Sequence, residues 1–185
     1  MSESADMRSV APVVAASEMW VRRALFWSVA VFVVALDQLV KIWIRAAFPV
    51  GATQPLLEGW LRLTHSENTG AAWSMLAGQR WPLVLISVAV SAFILFMAHE
   101  FSNEKPRRVL PLVALGFIFG GAIGNLIDRV LFGVVTDMID LDTPLEFLRT
   151  FPIFNLADSA LTVGVVLLML HFVLHRESSI VNQQS

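Results

Sequence analysis

Residues 151–174 read FPIFNLADSALTVGVVLLMLHFVL. The second half of this stretch is apolar and long enough to cross a bilayer, which needs about 20 residues of helix. Its opening is different, with Asn155 and Asp158 three positions apart and so on one face of a helix. A carboxylate within a span costs roughly 3 kcal/mol on insertion scales, and such residues are rare unless they serve a function. The fold and the function both follow from what offsets that cost.

The rest of the chain reads as the same kind of sequence. Of 185 residues, 56% are hydrophobic and only 15% are charged, with a mean hydropathy of +0.68. Soluble domains carry about a quarter charged residues, so a single integral membrane domain is expected. Three further apolar segments fit the length rule, at residues 24–46, 81–98 and 109–127. The first span contains Asp37 and Lys41, so it reads as a retained span rather than a cleaved leader. Residues 1–20 and 177–185 are expected to be tails on the cytoplasmic side, the first of them disordered, around one four-span domain at 21–176.

Basic residues set the direction. One set of flanks holds Arg8, Arg22, Arg23, Lys105, Arg107, Arg108 and Arg176, and the other holds Arg45, Arg62, Arg80 and Arg149. Seven against four favours both termini in the cytoplasm. The connection at 47–80, punctuated by Pro49, Gly51, Pro55 and Gly59, suggests a small strand-rich cradle on the outer face. In the second outer connection, Thr143, Pro144 and Glu146 form a capping-box pattern, which predicts an interfacial helix there. The expected fold is therefore an all-α membrane protein of four transmembrane helices, with that cradle and that helix on its outer face.

On this topology the costly groups converge. Asp37 and Lys41, Asn68, then Asn125, Asp128 and Arg129, then Asp137, and finally Asn155 and Asp158 all fall toward the outer leaflet. Asp37 with Lys41 is also compatible with a simple i,i+4 ion pair. Asp128 beside Arg129 reads as structural, and Asp140, Asp142 and Glu146 as parts of a solvated loop. Asp137 and Asp158 have no neighbouring cation in sequence and are harder to dismiss. The glycines at 116, 120 and 124 allow another helix to approach the third span closely, which is one way to bring it against the fourth.

Several chemistries are excluded by residue type. There is no cysteine, no HExxH, no nucleophile-elbow motif and no phosphate-binding loop, and the four histidines form no ligand set. No metal or cofactor is expected, and no basic block points to nucleic acid. Paired carboxylates remain, since two aspartates sharing a proton can activate water against a peptide carbonyl. A proton-coupled transporter is the rival reading. It would need polar groups through the whole membrane thickness, and no inverted repeat is found. A structural subunit docking a partner through the polar cluster is a third.

The motifs DQLVK (37–41), NTGAAW (68–73), GGAIGNLIDR (120–129), VTDMI (135–139) and FNLADSAL (154–161) together resemble the lipoprotein signal peptidases, or signal peptidase II. The resemblance implies an aspartyl endopeptidase of the bacterial inner membrane, working as a monomer near the outer face. It removes signal peptides from prolipoproteins before a diacylglyceryl-modified cysteine. By the same resemblance, Asp137 and Asp158 are the catalytic pair. Asp37, Lys41, Asn68, Asn125, Arg129 and Asn155 support the pair or contact substrate, and Gly120, Gly121, Gly124 and Asp128 are structural motif residues. Met138 and Trp73 stand where the family has phenylalanine. The connection at 140–152 is somewhat long for the family, so the helix over the site is expected to differ in length.

Overall fold

The computed structural model describes residues 3–70, 76–103 and 108–181. In chain order it contains α1 (Glu3–Ala47), β1 (Thr53–Leu57), β2 (Leu61–Asn68), α2 (Arg80–Asn103), α3 (Leu110–Leu131), β3 (Val135–Leu141), α4 (Glu146–Arg149) and α5 (Leu156–Val181). Four stretches are long and apolar enough to span a membrane: Met19–Ala47, Arg80–Asn103, Leu110–Leu131 and Leu156–Leu174. The expected four spans are therefore present. Two boundaries differ from the sequence reading. Helix α1 begins at Glu3, where a disordered tail was expected, and α5 runs on to Val181. Both extensions are rich in residues that continue a helix once a long span has nucleated it.

Helix α3 is the axis of the bundle. Over half of its apolar window, 56%, is buried within the protein, against 22–28% for the other three. Its glycines explain this, because a missing Cβ lets a neighbouring backbone approach. They do not all face the helix expected from sequence. A Cβ on Gly116 or Gly120 would strike α1, at 2.9 Å from the Phe26 and Ala30 carbonyl oxygens respectively. Gly121, turned about 100° away, meets α5, where an added Cβ would overlap the Ala157 carbonyl oxygen, and Gly124 lies against both Asp37 of α1 and Ala157 of α5. Gly164 of α5 returns the contact, facing the Ala114 carbonyl oxygen at 2.6 Å. The glycine ridge thus serves α1, while Gly121 and Gly164 bring α3 and α5 together.

The strand-rich cradle is a three-stranded antiparallel sheet in the order β1-β2-β3. The connection at 47–80 supplies only two of its strands. The third, β3, follows the turn at Gly133, whose φ of +80° favours glycine. This strand was not expected from sequence, although the β-branched run Val134-Val135-Thr136 after a turn glycine is a strand signal. Asp140 belongs to it rather than to a solvated loop. It is buried opposite Arg62 and accepts hydrogen bonds from Arg62 Nε at 3.0 Å and Thr64 Oγ1 at 2.8 Å.

The interfacial helix is a single turn. Its N-cap is Leu145 without a side-chain bond, and Thr143 Oγ1 instead accepts the Leu145 N–H at 3.0 Å. Thr143 is buried in a local turn and is not free to start a helix at Pro144. Met138 is buried, as an apolar replacement there requires, whereas Ala71–Trp73 of the asparagine motif lie outside the described residues.

Replacing Gly121 by valine should destabilise the protein by at least about 1–3 kcal/mol through overpacking against the α5 backbone. Gly59→Ala, at φ +71° with open space around it, should cost only about 1 kcal/mol. Thermal melts in detergent would check the order of the two.

Candidate active site

The site is built at one end of the bundle, where α1 and α3 finish, α5 begins and the sheet closes over them. The head of α5 explains the local geometry. Residues 151–155 are not helical as read from sequence; the chain arrives extended and pairs with β3. Phe154 N–H donates to the Ile139 carbonyl at 3.1 Å, and the Phe154 carbonyl accepts from Met138 and Ile139 N–H at 3.0 and 2.8 Å. This backbone clamp sits one residue after Asp137 and four before Asp158, so it fixes the two carboxylates relative to each other.

Asn155 is consequently the cap of α5 rather than a residue on its face. Its Oδ1 accepts the Asp158 N–H at 2.9 Å, and Asp158 Oδ2 accepts the Asn155 N–H at 3.2 Å. That is the reciprocal geometry of a capping box. The next free donor of the helix start, Ala157 N–H, is taken by Asp37 Oδ1 across the bundle at 3.0 Å. A carboxylate there also faces the positive end of the α5 dipole.

Asp37 and Lys41 do form the i,i+4 pair, at 2.9 Å with both side chains fully buried. The pair is part of a larger centre. Lys41 Nζ also reaches Asp128 Oδ2 at 3.1 Å and Asn125 Oδ1 at 2.9 Å, which uses all three of its donors. Asp128 is fully buried and bonded on both oxygens. Its Oδ2 accepts the Thr136 N–H at 3.0 Å and its Oδ1 a bond from Gln38 Nε2 at 3.2 Å. Arg45 donates to Thr136 Oγ1 at 2.9 Å and lies 3.5 Å from Asp128. Gln38, Arg45 and Thr136 were not singled out from sequence. The signal for Arg45 was available, since 37, 41 and 45 are successive i,i+4 positions.

Two asparagines link this ionic centre to the carboxylates of Asp137 and Asp158. Asn125 donates from Nδ2 to Asp158 Oδ1 at 2.8 Å, while its Oδ1 accepts from Lys41 and, at 3.1 Å, from Asn155 Nδ2. Asn155 Nδ2 also donates to Asp137 Oδ1 at 2.6 Å. Asn68, the last residue of β2, donates to the other oxygen, Asp137 Oδ2, at 3.1 Å. Arg129 donates to the Gly70 carbonyl at 3.0 Å and so holds the loop that follows Asn68.

Asp137 and Asp158 both line a cavity of about 650 Å³, together with Asn68, Asn125 and Arg129. The remaining wall is mainly apolar and includes Leu148, Phe151 and Ile153 from the second outer connection. Asp137, on the sheet, is 2% exposed. Burial pushes its carboxyl up to about 7; the charge of Asp158 adds to this, and the bonds from Asn68 and Asn155 and the charge of Lys41 oppose it. Part of the push on Asp137 thus comes from the charge of Asp158 across the cavity. Among the described residues, no three His, Asp or Glu side chains are grouped as a cation would need.

Comparison with known proteins places the chain in a family. The sequence model described as signal peptidase (SPase) II matches residues 29–174, which contain every site residue above. The chain belongs to the signal peptidase II family. It is 40% identical over 152 residues to the lipoprotein signal peptidase of Geobacillus thermodenitrificans (strain NG80-2), covering 81% of this chain and 90% of that one. It is 42% identical over 149 residues to that of Synechocystis sp. (strain ATCC 27184 / PCC 6803 / Kazusa), covering 80% and 87%. A solved bacterial membrane enzyme shares the fold with a TM-score of 0.73 at 35% identity, over 81% of this chain and 88% of that one. This signal peptidase II is thus a bacterial membrane protein and a peptidase, of a family that removes signal peptides from prolipoproteins.

Lys41→Met would leave Asp37 and Asp128 buried without their shared cation. The expected loss is about 3–5 kcal/mol of stability, the usual cost of breaking a buried ion pair from one side. It should appear in detergent melts as a lowered Tm, and Arg45→Met, which removes a partly exposed cation, should lower it less.

Proposed function

We propose that the chain is an aspartic endopeptidase in which Asp137 and Asp158 act as one catalytic pair, cutting prolipoproteins immediately before the diacylglyceryl-modified cysteine. The observation that carries the reading is that, among the described residues, these two are the carboxylates lining the cavity. The other buried acids of the bundle end, Asp37 and Asp128, are bound to Lys41. In the proposed reaction, the ionised carboxylate takes a proton from water as its oxygen attacks the scissile carbonyl carbon. The protonated partner hydrogen-bonds the carbonyl oxygen as it gains charge. Collapse of the tetrahedral intermediate breaks the C–N bond, and a proton from the pair goes to the departing cysteine amine.

The supporting residues have correspondingly separate roles. Asn68 and Asn155 hold the two oxygens of Asp137, and Asn125 holds Asp158. The guanidinium of Arg129 lies within electrostatic reach of both carboxylates and is suited to orient substrate carbonyls. The apolar cavity wall suits a peptide that arrives from lipid with its acyl chains still there. The basic-residue count favours both termini in the cytoplasm and the site toward the periplasmic side. Because one chain supplies every residue of the pair and its supports, a monomer suffices.

Cleavage of a diacylglyceryl-cysteine signal peptide in detergent tests the assignment. Asp137→Asn and Asp158→Asn should each lose at least about 10²–10⁴-fold in rate while folding normally; near-normal cutting by either variant would refute it. The pH profile is a second test. Reaction needs one proton on the pair, and the Asp137 carboxyl stands at about 7, so kcat/KM should fall as pH rises through that value. A rate that stays flat to pH 9 would count against a shared proton.

A further inference from the structure

Substrate backbone enters this cavity with N–H groups that need acceptors, and most of the polar lining cannot provide them. The amide oxygens each already accept at least one bond from the protein. Asn68 Oδ1 accepts from Gly70 N–H at 2.9 Å, Asn125 Oδ1 accepts from both Lys41 and Asn155, and Asn155 Oδ1 accepts from Asp158 N–H. Arg129 can only donate. The two carboxylates are reserved for the reaction. Among the described side chains lining the cavity, that leaves the hydroxyls of Ser159 and Thr162.

Both hydroxyls are already polarised in one sense. Ser159 Oγ donates to the Asn155 carbonyl at 3.0 Å, and Thr162 Oγ1 donates to the Asp158 carbonyl at 2.9 Å. With its proton bound to the preceding turn of α5, each oxygen keeps only lone pairs to offer. Ser159 and Thr162 are three positions apart and share one face of the helix. They continue along α5 from Asp158 into the span.

We infer that Ser159 and Thr162 form an acceptor rail that receives backbone N–H groups of the substrate on the signal-peptide side of the scissile bond. This rests on the peptidase reading of the cavity. The signal peptide is the apolar part of the substrate, so it runs from the carboxylates toward the membrane interior, as α5 does. Thr162 lies four residues beyond Asp158, about 6 Å along the helix at about 1.5 Å per residue. An extended peptide covers that distance in about two residues. Thr162 therefore accepts from the amide about two residues before the scissile bond and fixes the register in which the peptide meets the pair.

The test combines enzyme and substrate changes. Substrates are made with an ester in place of each of the three amides preceding the scissile bond, which removes one N–H at a time. Thr162→Val keeps the shape and removes the acceptor, while Thr162→Ser keeps the acceptor. With the all-amide substrate, Thr162→Val should lose about tenfold in kcat/KM, the scale of one neutral hydrogen bond. One ester should cost the wild type a similar factor and cost Thr162→Val nothing more. Thr162→Ser should stay sensitive to that ester. If every ester costs Thr162→Val what it costs the wild type, or if Thr162→Val cuts as the wild type does, the rail is refuted. Asp137→Asn assayed in parallel separates the two layers, because cleavage by that variant would overturn the aspartic-pair assignment on which the rail rests.

Discussion

Lys41 has three N–H donors, no contact with solvent, and three partners. That single ammonium fixes the end of the bundle, because its partners come from two helices and one of them, Asp37, reaches the first turn of a third. Removing any partner would expose the others to the cost of a buried charge without compensation. The centre is also balanced in sign, with Asp37 and Asp128 against Lys41 and the partly exposed Arg45. Because that cluster pairs its own acids with its own cations, Asp137 and Asp158 carry no ion pair among the described residues.

Asparagine is what keeps the two sets of charges distinct yet connected. Asn125 accepts from Lys41 of the ionic centre while donating to Asp158, and Asn155 joins Asn125 to Asp137. An amide can do both without a proton changing place, whereas a carboxylate or an amine in the same position would alter the charge balance. The capping box at the start of α5 uses this property twice. It closes the helix and it aims Asp158, so the carboxylate at the head of the span also completes the helix that carries it.

Much of this was legible in the sequence, for identifiable reasons. Four spans follow from length and hydropathy, and the polar residues fall at one end because their positions within alternating spans decide it. The Asp37–Lys41 pair follows from an i,i+4 spacing. The illegible parts depend on contacts between distant segments. Which glycine faces which helix is a matter of rotation about α3, and GxxxG spacing alone does not choose between α1 and α5. The entry of residues 151–155 into a bridge with β3 turned an expected helical turn into a cap, because backbone pairing with a strand was available only in the folded chain. The capping-box pattern at Thr143 was present in sequence but lost to a local turn, while the pair at 155 and 158 took the reciprocal geometry.

Helix α2 contributes no side chain to the cavity. It packs chiefly against α3, and much of its surface is exposed apolar side chain. Its contribution is one of parity. Helices α1 and α3 must both present their C-terminal ends to the site, where Lys41 meets Asn125 and Asp128, so they must run in the same sense. An intervening crossing is the simplest way to return the chain to the starting side. A shortened chain that lost α2 would keep every site residue in its sequence and still deliver half of them to the wrong side of the membrane. In this fold, a segment with no chemistry of its own decides whether the chemistry can be assembled at all.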